Sequence, residues 1–256
     1  MSELLTAAQM RAIEQAAIES AEVTGLELME RAGRGVVEAI FEEWPELDTP
    51  KMAHGAGLRA KAARWRLRRA VGTPRIGVLC GPGNNGGYGF VIAKLLADRG
   101  LNVEVFFLGP PSIQPPEAHK CAELWYKKYK QLHAIYPLGH RDMRLAEKKF
   151  DVFVDAIFGT GLDRPLPEEI LELFNNIRYE RNWQSNRLVA VDILSGLNGD
   201  TGEEMSELCL RADLTVTFHR AKCGHTRRRA KEWSGKLVVK DIGLGNGPQV
   251  DQKNEN

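Results

Sequence analysis

A glycine-rich stretch that follows a short apolar run constrains the fold of this chain most. Residues 76–80 are typical of a buried strand, five glycines fall within residues 81–89, and a helical pattern continues to Gly100. A strand, a glycine turn and a helix form the corner at which α/β proteins hold phosphates, because the helix N-terminus offers free N–H groups. The spacing matches neither G-x-G-x-x-G nor the P-loop. A tight turn that only packs a helix on a sheet is the alternative, although the adjacent amides of Asn84 and Asn85 favour a ligand.

Five further apolar runs predict strands, with helical patterns between several of them. The strands are predicted at residues 103–108, 151–158, 188–193, 214–218 and 237–239, and helices at 116–132 and from Pro167 onward. Strands separated by helices indicate a mostly parallel sheet that is covered on both faces. The fold class is therefore α/β.

The chain reads as one domain, residues 1–256, with additions around an α/β body at residues 75–243. Capping boxes at Thr6 and Thr24 predict two helices in residues 1–45, an arm that lies across the body or against a partner. Residues 51–74 form a basic insertion with arginines around Trp65. A solvated helix or insertion is favoured there over an anion-binding surface. Residues 245–256 are expected to fray.

Composition excludes several classes of protein. Hydrophobic residues make up 43% of the chain, charged residues 27%, and the net charge is +1. This describes an ordinary soluble globule, and we expect no membrane contact and no nucleic acid as partner. No apolar run reaches the length of a membrane span, and the start of the chain does not resemble a signal peptide. The four cysteines lack metal-site spacing, which favours reduced thiols in the cytoplasm.

Polar residues gather where the predicted strands end. Asp155 lies inside an apolar run, Asp192 and Ser195 close the next strand, and Lys222 follows the strand after that. In open parallel sheets, ligands bind outside the carboxyl ends of the strands. Each residue also has a structural interpretation: a satisfied core carboxylate for Asp155, a helix N-cap for Asp192 with Ser195, and plain exposure for Lys222.

Two common enzyme classes receive little support. Ser195 lies in S-G-L rather than in a G-x-S-x-G elbow, which disfavours a Ser-His-Asp hydrolase. A hydride-transferring enzyme lacks its dinucleotide fingerprint. His219 and His225 fit structural or surface positions better than a metal site, because no third ligand is spaced with them.

Four ordered motifs resemble the NAD(P)H-hydrate epimerase family, as a stand-alone epimerase domain. They are G-P-G-N-N-G-G-Y-G, D-A-I-F-G-T-G-L, V-D-I-L-S-G-L and T-F-H-R-A-K-C-G-H, and the helical start is similar too. The resemblance runs from about Leu5 to Gly243. It implies a Rossmann-like three-layer αβα sandwich and a homodimer. The implied activity interconverts the R and S forms of NADH or NADPH hydrated at C6, so that a separate S-specific dehydratase can restore the cofactor.

The resemblance also assigns site residues. The implied potassium ligands, for one ion per subunit, are Asn85, Asp155 and Ser195, and oxygen ligands of this kind suit a hard cation. Asp192 matches a substrate-contacting carboxylate, and Lys222 a recurrent lysine near the site. The substrate-binding residues implied are Asn84, Asn85, Gly86, Gly87, Tyr88, Gly159, Thr160, Gly161, Leu162, Asp163, Arg164, Pro165 and Asp192.

The implied chemistry fits these residue types. C6 of the substrate carries both the ring nitrogen and the hydroxyl, so inversion requires loss and return of the hydroxyl, or opening and closing of the ring. Either route needs a proton donor and acceptor, for which our hypothesis is Asp192 with Lys222 as its charge partner. Tyr88 replaces an acid of the family loop, and with the basic insertion it motivates an alternative: a catalytically impaired member that binds a nucleotide-like ligand or a protein. A third alternative is an enzyme that acts on another nucleotide-like molecule through Asp192.

Overall fold

The computed structural model describes residues 3–48, 72–109, 113–130, 133–135, 149–179, 186–207 and 210–245. Most of the predicted basic insertion and nearly all of the predicted frayed tail lie outside these ranges. No helix in the described ranges is long and apolar enough to cross a membrane.

The centre of the molecule is a parallel sheet. Across the described residues it has seven strands in the order β3-β2-β1-β4-β5-β6-β7. The strands are β1 (Arg75–Cys80), β2 (Asn102–Leu108), β3 (His133–Ile135), β4 (Val152–Ala156), β5 (Arg187–Val191), β6 (Leu214–Phe218) and β7 (Lys236–Lys240). Every neighbouring pair is parallel. The chain proceeds outward from β1 to β3 and then returns to β4 on the other side of β1, which makes the β1/β4 boundary the topological switch point.

Helices cover both faces of this sheet. They are α1 (Ala7–Glu19), α2 (Gly25–Glu43), α3 (Asn84–Asp98), α4 (Pro116–Tyr129), α5 (Glu168–Tyr179) and α6 (Arg228–Ser234). One hydrophobic cluster joins α2, α3 and α4 to one face, and a second joins α5 and α6 to the other. Successive side chains of β1 point to opposite faces of the sheet, so Val78 belongs to the first cluster and Leu79 to the second. The predicted αβα sandwich is therefore confirmed.

Both N-terminal helices begin as predicted. Thr6 and Thr24 each form a capping box with the residue three positions later, Gln9 and Glu27 respectively. The apolar stripe of α2 is buried, and this helix packs against α3 and contacts β6 and β7. Helix α1 instead lies near the carboxyl end of the sheet, because a parallel bridge joins Leu5 to Lys222.

The structure corrects the bounds of two helices and adds one strand. The residues from Asn84 onward, predicted as a turn, form the first turn of α3. The helix predicted at residues 116–132 ends at Tyr129, and β3, which was not predicted, follows it at residues 133–135. Asparagine and glycine are poor helix formers, so here tertiary packing overrides local preference.

Most glycines of the corner serve packing. A Cβ at Gly86 would lie 1.9 Å from the carbonyl oxygen of Gly81, and one at Gly81 would lie 1.9 Å from that of Ile157. Gly83 and Gly161 differ, because nothing lies within 4 Å of a Cβ placed there. The alternative that these glycines only allow close packing therefore holds for Gly81 and Gly86. Gly83 and Gly161 instead leave open space beside the site.

Candidate functional site

A cavity of about 320 Å³ opens at the carboxyl ends of the strands, beside the switch point. Its volume is at the lower end of the range of roughly 300–1,000 Å³ that is usual for ligand sites. The loops after β1 and β4, the ends of β5 and β6, and one face of α1 form its walls. The lining residues are Met10, Arg11, Glu14, Pro82, Gly83, Asn84, Asn85, Tyr88, Ile157, Phe158, Gly159, Thr160, Gly161, Leu162, Asp192, Phe218 and Lys222.

A buried ion pair forms the floor of this cavity. Nζ of Lys222 donates to Oδ1 of Asp192 at 2.7 Å, and the two side chains are 1% and 11% exposed. The ammonium also donates to Oγ1 of Thr217 at 2.8 Å and to the carbonyl of Phe218 at 3.3 Å. Exposure of Lys222, one of the sequence alternatives, is therefore wrong. Because the ammonium already donates to three acceptors, we interpret Lys222 as the residue that stabilises the negative charge of Asp192.

The second oxygen of Asp192 is less engaged. Oδ1 accepts from both Lys222 and Thr217, while among the described residues Oδ2 accepts only a long bond of 3.4 Å from the N–H of Thr160. Burial alone would raise the pKa of Asp192, but the charge and hydrogen bond of Lys222, together with the hydrogen bond from Thr217, hold it below its ordinary value. The carboxylate is therefore ionised at neutral pH, with one oxygen available to a ligand.

His225 fixes the position of this pair. Its Nδ1 accepts from the backbone N–H of Lys222 at 3.0 Å, and its Nε2 lies 2.9 Å from the carbonyl oxygen of Asp192. The first bond requires a bare Nδ1, so Nε2 carries the proton and donates. Burial lowers the pKa of His225 to about 4, which keeps the ring neutral. The structural interpretation of this histidine is supported, although its role in holding Asp192 could not be read from spacing.

Asp155 lies behind the cavity wall and is fully buried. Oδ1 accepts from the hydroxyl of Ser195 at 2.7 Å and from the N–H of Ile157 at 3.2 Å, and Oδ2 accepts from the N–H of Ser195 at 2.8 Å. Burial raises the pKa of Asp155 to about 6 despite these three bonds. The carboxylate thus ties the end of β4 to the loop after β5. No helix begins at Asp192 or Ser195, so the N-cap alternative is wrong.

The buried amide of Asn85 has no hydrogen-bond partner in the part of the chain that the structure describes. Both Nδ2 and Oδ1 lack a hydrogen bond to any residue that the structure describes. A Cβ at Gly159 would lie 3.2 Å from Oδ1 of Asn85 and from Oδ2 of Asp192, so the glycine leaves room between the two groups. Because buried polar groups are nearly always satisfied, this amide indicates a missing ligand atom or ion.

The structure brings together only part of the predicted substrate set. Asn84, Asn85, Tyr88 and Asp192 line the cavity, as do residues 159–162. Gly86 and Gly87 are buried residues of α3 itself, and residues 163–165 are exposed outside the lining. The contacts predicted for these five residues stay predictions.

Tyr88 of α3 and Glu14 of α1 line the cavity with side chains that can donate a proton. Tyr88 packs edge-on against Phe218, with ring centroids 5.1 Å apart, and burial together with the charges of Glu14 and Asp192 raises its pKa well above the usual range. Its phenol is therefore neutral. Glu14, on α1, was not predicted as a site residue, because a glutamate in an amphipathic helix has the pattern of a solvent-facing side chain.

Fold and site together define an α/β domain with a buried carboxylate–ammonium pair at the switch point of a parallel sheet. The family model described as YjeF-related protein N-terminus matches residues 25–224. An NAD(P)H-hydrate epimerase of Roseobacter litoralis is 40% identical and one of Rhodobacter capsulatus is 39% identical; each alignment covers 95% of this chain and all of the relative. The chain belongs to the NAD(P)H-hydrate epimerase family.

The solved structure of the yeast protein ynu0 shares the fold. It superimposes with a TM-score of 0.66 at 20% identity, and the match covers 94% of this chain and 88% of the yeast chain. A bifunctional NAD(P)H-hydrate repair enzyme of Moorella thermoacetica is 32% identical, and there 94% of this chain corresponds to 40% of the relative.

Proposed function

We propose that this protein is an NAD(P)H-hydrate epimerase, an isomerase that interconverts the R and S forms of C6-hydrated NADH and NADPH. One observation carries the proposal: the Asp192–Lys222 pair closes the floor of the cavity and leaves Oδ2 of Asp192 facing it. The two relatives that align with 95% of this chain are named for the same activity.

Asp192 would act on the C6 hydroxyl and on the charge that forms when it leaves. Loss of the hydroxyl places positive charge on the ring nitrogen and C6, and a buried, ionised carboxylate stabilises such charge. Lys222 keeps Asp192 ionised in the resting site and orients it, with His225 holding the backbone of both. Inversion follows when water returns to the opposite face of C6.

The glycine loop would hold the rest of the substrate. The N-terminus of α3 lies at the cavity wall, and Gly83, its N-cap residue, has no side chain to block the approach of a pyrophosphate. Free N–H groups at a helix N-terminus bind anions. Tyr88 and Phe218 supply an apolar, aromatic wall for the nicotinamide ring.

The residues present fit the implied potassium ion. Asn85 offers a buried amide oxygen without a partner among the described residues, and Asp155 and Ser195 offer a buried carboxylate and a hydroxyl that are hydrogen-bonded to each other. Oxygen donors of this kind suit a hard cation, which would neutralise Asp155 and stiffen the loops around the site. We propose Asn85, Asp155 and Ser195 as its ligands.

An S-specific dehydratase would complete the repair. The bifunctional relative has a length of chain beyond the part that this protein matches, which supports a second activity in that protein. The homodimer and the cytoplasmic location expected from the sequence remain proposals.

The test is a coupled assay on a mixture of R and S hydrated NADH with excess S-specific dehydratase. Without an epimerase, the R form is consumed only at its spontaneous rate. We expect added protein to remove this lag in proportion to its concentration, and potassium to increase the effect. Decay of the R form at the spontaneous rate would overturn the proposal and favour a binding member of the family.

A further inference from the structure

Helix α1 contributes a second carboxylate to the cavity. Glu14 is half-buried and lines the same space as Asp192, Lys222 and Tyr88. It lies one helical turn beyond Met10, whose buried side chain also lines the cavity. The Glu14 carboxylate makes no hydrogen bond or ion pair with another residue in the described ranges, so it is available to a ligand.

The position of α1 is fixed by the loop that carries Lys222. The N–H of Leu5 donates to the carbonyl of Ala221 at 3.1 Å, and the carbonyl of Leu5 accepts from the N–H of Cys223 at 2.9 Å. The N–H of Ala7, the first residue of α1, donates to Oδ1 of Asp200 at 2.7 Å. Glu14 is therefore held opposite Asp192 by backbone bonds rather than by chance packing of an exposed helix.

Resting on the proposed epimerase function, we propose that Glu14 is a second catalytic acid–base residue, which protonates the C6 hydroxyl as it leaves and takes a proton back when water adds.

The charges around Glu14 suit a proton donor. Arg11 faces it from α1, Tyr88 from α3, Asp192 from the end of β5 and Lys222 from the loop after β6. Burial, followed by the charge of Asp192, raises the pKa of Glu14 to about 7, against the smaller opposing effects of Lys222 and Arg11. The pKa of Asp192 is lowered instead. Two carboxyl groups whose pKa values are driven apart are the usual sign of a divided acid and base.

The bonds and charges balance. The proton of Glu14 passes to the C6 hydroxyl oxygen, the C–O bond breaks with its electron pair on the departing water, and the lone pair of the ring nitrogen forms the C6=N bond. Glu14 is then a carboxylate, so its new negative charge offsets the positive charge of the iminium. When water adds to the other face, the C=N electrons return to nitrogen and the surplus proton returns to Glu14.

The experiment compares wild type with Glu14→Gln, Glu14→Asp and the control Glu19→Gln, which makes the same change at the exposed end of α1. Conversion of purified R hydrated NADH to the S form is followed directly by chromatography between pH 5.5 and 9. This avoids the pH dependence of a coupling enzyme. Circular dichroism and thermal melting confirm that each variant is folded.

We expect the wild-type rate to fall as pH rises through about 7, because Glu14 loses its proton there. Glu14→Gln should lower kcat by roughly 10²–10⁴-fold at pH 6, with little change in KM, and should remove this alkaline limb. Glu14→Asp keeps an acid and should retain part of the rate together with the limb. Glu19→Gln should match wild type.

The results that would overturn the epimerase function differ from those that would overturn only the role of Glu14. If wild type does not epimerise the substrate at all, the proposed function is overturned, and the role of Glu14 with it. If wild type is active and Glu14→Gln is as active as Glu19→Gln, or keeps the alkaline limb, only the assignment of Glu14 is overturned. A rise in KM at unchanged kcat would also overturn it, since it would mark Glu14 as a binding residue.

Discussion

Asp192 joins three properties in one residue. Its backbone is left-handed, with φ of +67°, its carboxylate is buried against Lys222, and its second oxygen faces the cavity. A left-handed residue other than glycine costs on the order of 1–2 kcal/mol, so surrounding bonds must hold it there. The N–H of Asp192 donates to Val216 at 2.7 Å, and His225 binds its carbonyl. These bonds hold the strained backbone in the conformation that directs the carboxylate into the cavity.

Replacement of Asp192 by Asn should abolish epimerisation and leave ligand binding largely intact. The amide keeps the size of the side chain but cannot hold negative charge against a developing iminium, so we expect a loss of about 10²–10⁴-fold in kcat. Conversion of R hydrated NADH measures the rate, and equilibrium binding of NADH measures retention of the site. An unchanged rate would contradict the assignment.

The role proposed for Asn85 as a potassium ligand can be tested through the effect of potassium on thermal stability. An ion present at a concentration tenfold above its Kd for the folded protein adds about 1.4 kcal/mol to the free energy of unfolding, equivalent to roughly 3–6 °C in Tm for a chain of this size. We expect potassium in place of sodium to raise the Tm of wild type by this amount, and Asn85→Ala to lose the increment. Asn84→Ala is the matched control, because Asn84 is exposed beside it. An increment that survives in Asn85→Ala would remove this residue from the ligand set.

At the scale of elements, the corner between β1 and α3 sets the distance from sheet to helix. Gly86 and Gly81 are spaced so closely that the helix begins almost in contact with the strand end. The strand, the glycines and the polar residues at the strand ends were predictable, because each has a local signature. The start of α3 at Asn84 and the strand β3 were not, because packing on the sheet rather than residue preference determines them.

A methyl group at Gly86 should push α3 away from β1. The clash of Gly86→Ala is with a backbone carbonyl, 1.9 Å from the new Cβ, which cannot move without its strand. We expect a loss of about 1–3 kcal/mol or more in the free energy of unfolding. Gly161→Ala is the control, because its Cβ meets open space and should leave stability unchanged. Urea unfolding followed by circular dichroism distinguishes the two; equal midpoints would show that the corner is less tight than described.

At the scale of the whole molecule, the candidate site depends on parts far apart in sequence. Asp155, Asp192 and Lys222 were predictable because the carboxyl ends of parallel strands share one edge. Glu14 was not, because only the docking of α1 on the Lys222 loop, through Leu5, brings it to that edge. A pattern along the chain contains no signal for such a contact.

The pH dependence of stability should reveal Glu14 without any substrate. A carboxyl group with a pKa of about 7 when folded, against 4.5 ordinarily, binds its proton more tightly in the folded protein. The free energy of unfolding therefore falls as pH rises from about 4.5 to 7 and is level above that. We expect Glu14→Gln to exceed wild type in stability at pH 8 by on the order of 1–2 kcal/mol, allowing for solvent screening, and to equal it near pH 4.

Thermal melts across this range provide the measurement, with Glu19→Gln as the reference. A variant that follows the wild-type curve at every pH would show that Glu14 titrates as an ordinary surface acid.

The bridge between Leu5 and the Lys222 loop has a consequence for where this protein can be divided. The family model begins at residue 25, yet Met10, Arg11 and Glu14 line the cavity. A fragment that begins at residue 25 would keep the seven described strands and the proposed potassium ligands Asn85, Asp155 and Ser195, but would lose the wall of the cavity that α1 forms. Helix α1 lies outside the family boundary and is nevertheless part of the site, so a fragment without it should lose epimerisation whatever its stability.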